Sequence, residues 1–444
     1  MNNISEKIRL GIILPLAEKI KGTNASYWYR RILVMKTWSK EDVRNWQETQ
    51  LRAFIQHAYQ HTVYYRNLFD SLGLKPEDIQ HAEDLKKLPI LTKDIIRTHY
   101  DELVADDVET MRYRENKTGG TTGSPMRFLC NEDVWGYVTA AKIDGWKQLG
   151  YRYGDKFAAL GSSSILNLKP SLSRRIYDRI RREYGYNSLS LSDNRCAQYL
   201  ADMRKKNIHY VYGYASAVYL LAKYARDHQE DVSFIKGAFT TSENLTDVYR
   251  KTIEEGFKCR VMDTYGARDA GVTAYEVTPG KYPLCYCIIP EIVDEIAPNT
   301  GTFLTTCFLN YAFPLIRYDF GDVVTMVKDD PEFNTAVLTK IIGRKSDVLH
   351  LDNGKVLTSP GFTILMNKFD VVAYDIQKIS GTEVKLQIQP VEGKWNKQQE
   401  ERLSKEMQKI VGEGCAFSIE YVDHFEEGKN GKRRYFMNDC SNKK

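Results

Sequence analysis

Lys117-Thr118-Gly119-Gly120-Thr121-Thr122-Gly123-Ser124-Pro125 is the stretch on which the reading of this chain turns. Glycine lets the backbone turn freely and lets an anion approach main-chain N–H groups with no Cβ in the way. The threonine hydroxyls add short, rotatable donors. Such a loop suits phosphate oxygens. It is not the GxxxxGK[ST] phosphate loop, because the spacing differs and no lysine closes it. Taken alone the pattern fits a Gly/Thr surface loop equally well, so the choice rests on its surroundings.

Upstream, Ser39 and Asp42 open a helical stretch over 39–70, in which Val43, Trp46, Leu51, Phe54, Ile55 and Ala58 recur at three- and four-residue steps. Thr92-Lys93-Asp94 starts a second capped helix. Both read as scaffold. Residues 10–16 (LGIILPL) are apolar, are interrupted by Pro15 and lie among Lys7, Arg9, Lys19 and Lys21. The segment is too short to span a bilayer. It either makes a peripheral contact with a membrane surface or packs on the protein's own body.

Downstream, a short strand over 126–129 and a helix over 131–149 follow the loop. Buried strands are expected over 157–160, 209–214, 235–240 and 259–262, with helices over 215–225 and 245–255. Such alternation marks an α/β protein with a mostly parallel sheet flanked by helices, whose ligands collect at the carboxyl ends of the strands. Small and polar residues follow these strands, as in Thr241-Ser242-Glu243 and Asp263-Thr264-Tyr265-Gly266. From 284 the texture becomes β, with strands expected over 284–289, 301–309 and 322–327. Beyond Lys345-Ser346-Asp347 lies an α+β unit with strands over 384–388 and 417–422 and a helix over 397–410. The expected division is a large N-terminal domain with a β-rich subdomain over 1–344, and a small C-terminal domain over 345–444.

At 444 residues, 42% hydrophobic and 27% charged, the chain has the make-up of a globular protein of two or three domains. Its net charge of +5 comes from 63 basic and 58 acidic residues and carries no nucleic-acid signature. The eight cysteines are scattered. Cys285 and Cys287 would face one side of a strand, as small buried hydrophobes of a reduced cytoplasmic protein or as metal ligands.

Five marks stand in order: TGGTTGSP (118–125), DTYGARD (263–269), FPLIRYDFGD (313–322), IGRKSDVLHLDNGKVLTSPGF (342–362) and NGKRR (430–434). With HAYQHTVYYRNLF (57–69) and LKKLPILTKDIIR (85–97), they resemble the adenylate-forming superfamily of acyl-CoA ligases. The likeness is to its phenylacetate–CoA ligase branch and the CapK-like members linked to polysaccharide biosynthesis.

The resemblance implies ATP, Mg²⁺ and CoA as cofactors and a small-molecule carboxylic acid as substrate. Thr118, Gly119, Gly120, Thr121, Thr122 and Gly123 would offer donors to the phosphates, with Ser124 where the family usually has lysine. Ser242, Glu243, Asp263, Tyr265, Gly266 and Arg268 would line the ATP/AMP site. Arg268 is either a cationic phosphate donor or an exposed salt-bridged arginine. Asp269, in place of the family's glutamate, would sit near Mg²⁺. Asp322 matches the ribose-binding aspartate and Arg344 the arginine that supports the ribose. The C-terminal domain would be mobile, pivoting about Lys345, Ser346 and Asp347. Lys432 matches the catalytic lysine, with Lys429 as the alternative. The branch often holds zinc after the YG motif, but 276–283 contains no Cys or His, so no zinc is expected.

The implied activity is acyl-AMP formation followed by a CoA thioester. An amine acceptor in the same fold, or a non-catalytic nucleotide-binding partner of an envelope assembly, are the other readings. The residues carry no signal of oligomeric state.

Overall fold

The computed structural model describes residues 6–118, 126–161, 166, 172–188, 191–345, 348–358, 362, 365, 366, 368–425, 436 and 437. Two six-stranded sheets form the body. The first is the expected parallel sheet, in the order Glu183–Asn187, Phe157–Gly161, Tyr210–Tyr214, Gly237–Thr241, Val261–Ala267, Val272–Tyr275. The first five strands run parallel and the last is antiparallel. Every residue of Phe157–Gly161 is buried. That is why this strand shows as a continuous apolar run, as strands covered on both faces do.

One face is covered by the helix Glu132–Lys147, whose Trp146 stacks on Phe239 with ring centroids 4.1 Å apart. The other carries Ala215–Asp227 and Asp247–Phe257. These two helices approach so closely that a Cβ at Gly256 would lie 2.1 Å from the Ala222 carbonyl oxygen. The strand Glu183–Asn187 and the helix Asp193–Lys206 were not expected. Sequence EYGYN at a sheet edge needs no apolar run, because only Tyr186 is buried.

The second sheet is antiparallel, in the order Tyr282–Pro283, Val337–Arg344, Tyr318–Val327, Thr300–Cys307, Ile288–Ala297. Leu91–Thr92 joins it parallel to the start of Tyr318–Val327. The strand expected over 284–289 begins only at Ile288; Cys285 and Cys287 lie in the turn before it, buried. The described cysteines are free.

The helical stretch expected over 39–70 is two helices, Lys40–His61 and Val63–Leu72. Ser39 and Asp42 form the capping box, whereas Thr62 turns extended (φ −125°, ψ 136°) and caps the second helix through Tyr65 N–H. Thr62 is a poor helix former and a good cap, and the cap wins.

The C-terminal sheet runs Ala416–Tyr421, Glu383–Pro390, Val371–Ser380, Phe436–Met437, with the helix Lys397–Val411 against it. It has a separate core that includes Leu349, Ile376, Leu386, Leu403 and Met407. Val372 and Ala373 instead pack into the helical layer of the parallel sheet. Among the described residues no helix is long and apolar enough to cross a membrane.

Candidate active site

The site forms where the antiparallel sheet meets the carboxyl end of Val261–Ala267. Antiparallel pairing places Asp322 directly across from Arg344. Gly321 precedes Asp322 at φ +94°, a conformation that a side chain resists, so the glycine of FGD is required by the backbone. Arg344 Nε lies 2.9 Å from Asp322 Oδ1. Tyr265 donates its hydroxyl to Asp322 Oδ2 at 2.7 Å. Burial pushes the Asp322 carboxyl above its ordinary value, and the charges of Arg344 and the Tyr265 hydrogen bond pull it back. Each carboxylate oxygen keeps a second lone pair, so both can still accept a hydroxyl.

Asp269 stands beside this pair. Tyr318, at the start of the FGD strand, donates to Asp269 Oδ2 at 2.7 Å, and its hydroxyl is also 3.7 Å from Met126 Sδ. Met126 closes the base of the Gly/Thr loop. Thr118 N–H donates to the Met126 carbonyl at 2.9 Å, and Met126 N–H donates to Thr118 Oγ1 at 3.0 Å. The strands Tyr113–Lys117 and Arg127–Asn131 pair antiparallel on either side, so the stretch connects a hairpin whose base abuts the carboxylates. Gly119 to Gly123 themselves, Ser346, Asp347, Lys429 and Lys432 lie outside the described residues.

Lys93 joins the cluster, unforeseen. Its ammonium donates to the Phe320 carbonyl at 2.6 Å, an oxygen that also accepts from Arg344 at 3.1 Å. Burial, with Arg344 nearby, lowers the Lys93 pKa, while Asp269, Asp322 and Asp319 oppose the shift. A signal was present in the sequence: Lys93 is the first residue of a Thr92-capped helix, where the helix dipole disfavours a cation.

The remaining expected residues divide. Gly266 is exposed at the end of its strand, close to the site. Arg268 is exposed and stacks on Trp135 at 4.7 Å, so its partner is an aromatic face. Ser242 is exposed at φ +67°, and Glu243 accepts from Ser216 N–H at 2.8 Å, at the start of the helix Ala215–Asp227. Asp263 points into the core: Thr240 donates to Oδ1 at 2.6 Å and Tyr282 to Oδ2 at 3.0 Å. Behind it, Arg250 Nη2 donates to both Glu276 carboxylate oxygens at 2.7 Å.

Burial pushes the Asp263 carboxyl up to about 6. The folded state therefore holds a proton that the unfolded chain has released between about pH 4 and pH 6, and stability falls as pH rises through that window. The total loss is about 3 kcal/mol. Asp263→Asn is expected to flatten that part of the profile, read from urea midpoints across the window. Identical slopes in both proteins would rule out Asp263 as the source.

The FGD strand is anchored at its root. Arg317 is 7% exposed at φ +52°. It forks onto Glu291 at 2.9–3.1 Å and donates to the Leu88 carbonyl. One side chain thus ties the antiparallel sheet to the segment that carries Lys93.

A half-buried aspartate held by one hydroxyl is an oxygen donor of the kind Mg²⁺ takes, alongside substrate phosphates, and Asp269 is that residue. A second group with ligand chemistry, His57, His61 and Asp107, lies elsewhere. There His57 Nε2 is engaged with the Tyr311 carbonyl at 3.0 Å and His61 Nδ1 with Asp106 at 2.7 Å.

No family model matches the chain. It is 24% identical to Protein CapK of Staphylococcus aureus over 420 residues, 90% of each chain. It is 25% identical to the phenylacetate-coenzyme A ligase of Escherichia coli (strain K12) over 350 residues, 73% of this chain and 76% of that one. The chain is a homologue of these proteins. Solved structures agree on the fold. The 2-hydroxyisobutyryl-CoA ligase in complex with R3-HIB-AMP superposes with a TM-score of 0.69 at 18% identity, covering 91% of both chains. The same ligase with 2-HIB-AMP and CoA gives 0.58 at 19% identity, again covering 91% of both. The α/β architecture expected from the sequence is therefore that of the adenylate-forming ligases, and the CapK and phenylacetate–CoA ligase branch is the one this homologue resembles.

Proposed function

We propose that the chain is an ATP-dependent carboxylate ligase of the AMP-forming kind, acting in the cytoplasm. A substrate carboxylate oxygen attacks the α-phosphorus of ATP, the bond to the bridging oxygen breaks, and pyrophosphate leaves. The CoA thiolate then attacks the acyl carbon and AMP departs. The observation that carries this reading is the Asp322 carboxylate, buried and oriented by Arg344 and Tyr265 beside the base of the Gly/Thr loop. Two oriented oxygens suit the vicinal hydroxyls of a ribose.

In this reading the Thr118–Gly123 loop holds the polyphosphate, Arg268 and Lys93 supply positive charge, and Asp269 holds Mg²⁺, which would neutralise charge on the phosphates. Residues 1–344 bind the nucleotide, and residues 345–444 turn about Lys345, Ser346 and Asp347 to bring Lys432 to the α-phosphate. The separate core of the C-terminal unit supports that division. The acyl product would serve the assembly of a polysaccharide.

The test is pyrophosphate release from ATP across aryl, fatty and sugar acids, with and without CoA. Release with some acid, completed to a thioester by CoA, is expected. Release that needs an amine in place of CoA would move the chain to amide ligation, and silence across the panel would favour a nucleotide-binding partner. In calorimetry, Asp322→Ala should weaken AMP binding by about 1–3 kcal/mol, the loss typical of charged hydrogen bonds. Unchanged affinity would remove Asp322 from the ribose site.

A further inference from the structure

The N-terminal segment left two readings open, and the structure supports both on opposite faces of one helix. Residues 6–21 form a continuous helix. Pro15 does not break it, because the turn before it is wide: Arg9–Ile13 is π-helical, and Leu14 N–H donates to the Arg9 carbonyl. A wide turn relieves the clash of the proline ring with the carbonyl of Gly11.

The inner face is clamped to the body. Leu14 and Ala17 are buried, and Arg9 donates to the Gly154 carbonyl. Lys147 pairs with Glu6 at 3.1 Å, and Ser26 donates to Glu18 at 2.7 Å. The outer face is a ladder of Ile8, Ile12, Leu16 and Ile20, 47%, 57%, 55% and 44% exposed, at steps of four. The helix Leu172–Arg181 packs beside it and adds Leu172 and Ile176, 74% and 45% exposed. These two helices hold six of the fifteen large apolar side chains exposed among the described residues, which marks a patch and not scatter.

Charge selects the occupant. Both acids of the first helix, Glu6 and Glu18, are spent inward, so its exposed charges among the described residues are Lys7 and Lys19. On the neighbouring helix Arg175 and Arg179 are exposed, with Arg182 just beyond it. A two-fold contact between copies would set these cations against one another. An apolar stripe edged by cations fits an anionic bilayer, where the stripe enters the headgroup boundary and the basic side chains meet lipid phosphates. We infer that the chain is a peripheral, in-plane membrane protein, docking on anionic lipid through the outer face of residues 6–21 with the helix Leu172–Arg181 beside it.

The test uses the full chain and sedimentation with vesicles of phosphatidylcholine alone or with roughly 30% phosphatidylglycerol. Binding to the anionic vesicles is expected, and it should weaken with salt and be near background on the neutral ones. Ile12→Glu with Leu16→Glu should lower partitioning by about tenfold or more, since the stripe must then carry charge into the boundary. Arg175→Gln with Arg179→Gln should lower it by about tenfold, roughly fivefold or less for each cation near the surface. All four positions are exposed, and circular dichroism checks that the variants fold. Wild-type protein that stays in solution with both vesicles at low salt overturns the proposal. So does binding that the double glutamate variant retains. A dimer in sedimentation velocity that Leu16→Glu dissociates, without vesicle binding, would make this face a self-interface and equally overturn it.

Discussion

Lys432→Ala is expected to slow acyl-adenylate formation by about 10²–10³, the scale on which a single electrostatic stabiliser of a transition state acts. Negative charge builds at the α-phosphate only while pyrophosphate leaves, so the benefit of the ammonium is confined to that step. Turnover of a presynthesised acyl-AMP with CoA should stay near the wild-type rate, because in the proposed cycle the C-terminal unit has by then turned another face to the site. The strand Phe436–Met437 pairs with Ile376 and Gln377, which tethers the chain just beyond this lysine to the C-terminal sheet. In the proposed cycle the approach of Lys432 to the nucleotide would depend on the pivot. Lys429→Ala should do little to either half-reaction. Pyrophosphate release and thioester formation, measured separately with an acid found in the substrate panel, check the prediction. Equal loss in both halves would point to misfolding, and a deficit confined to Lys429→Ala would move the role to that residue.

Arg317→Ala is expected to destabilise the protein by about 3–5 kcal/mol, as breaking one side of a buried ion pair does. The cost comes from what is left behind. Glu291, whose side chain is 11% exposed, loses a forked partner, and the Leu88 carbonyl loses a donor. Arg317→Lys should recover only part, since an ammonium cannot reproduce the planar fork. Urea unfolding measures both. A loss below about 1 kcal/mol for Arg317→Ala would mean that water replaces the pair, and that its geometry is not what holds the FGD strand in place.

Much of the fold was legible because some segments advertise their surroundings. The runs over 157–160 (FAAL) and 237–239 (GAF) carry no polar side chain at successive positions, which happens when a strand is covered on both faces. Their sheet and its flanking helices were expected from those runs, while the half-exposed edge strand Glu183–Asn187 was not. Ser39 and Asp42 announced a helix start, but the stop at Thr62 was hidden, since threonine is tolerated inside a helix and preferred at its cap.

The site divides in the same way. Asp322, Arg344 and Tyr265 could be singled out from the order of short motifs, and the structure brings the three into contact. Asp263 belonged to an equally suggestive motif and by period two shares a strand face with Tyr265, yet its carboxylate is taken up by Thr240 and Tyr282. Arg268 found an aromatic face whose position no local pattern encodes. Lys93 meets Phe320 across 227 residues of chain. Local spacing determined which segments become strands, helices and caps, because those choices depend on neighbours a few residues away. Which side chains share a charge, a hydroxyl or a buried wall was decided only when the two sheets packed and Arg317 drew the Lys93 segment against the FGD strand.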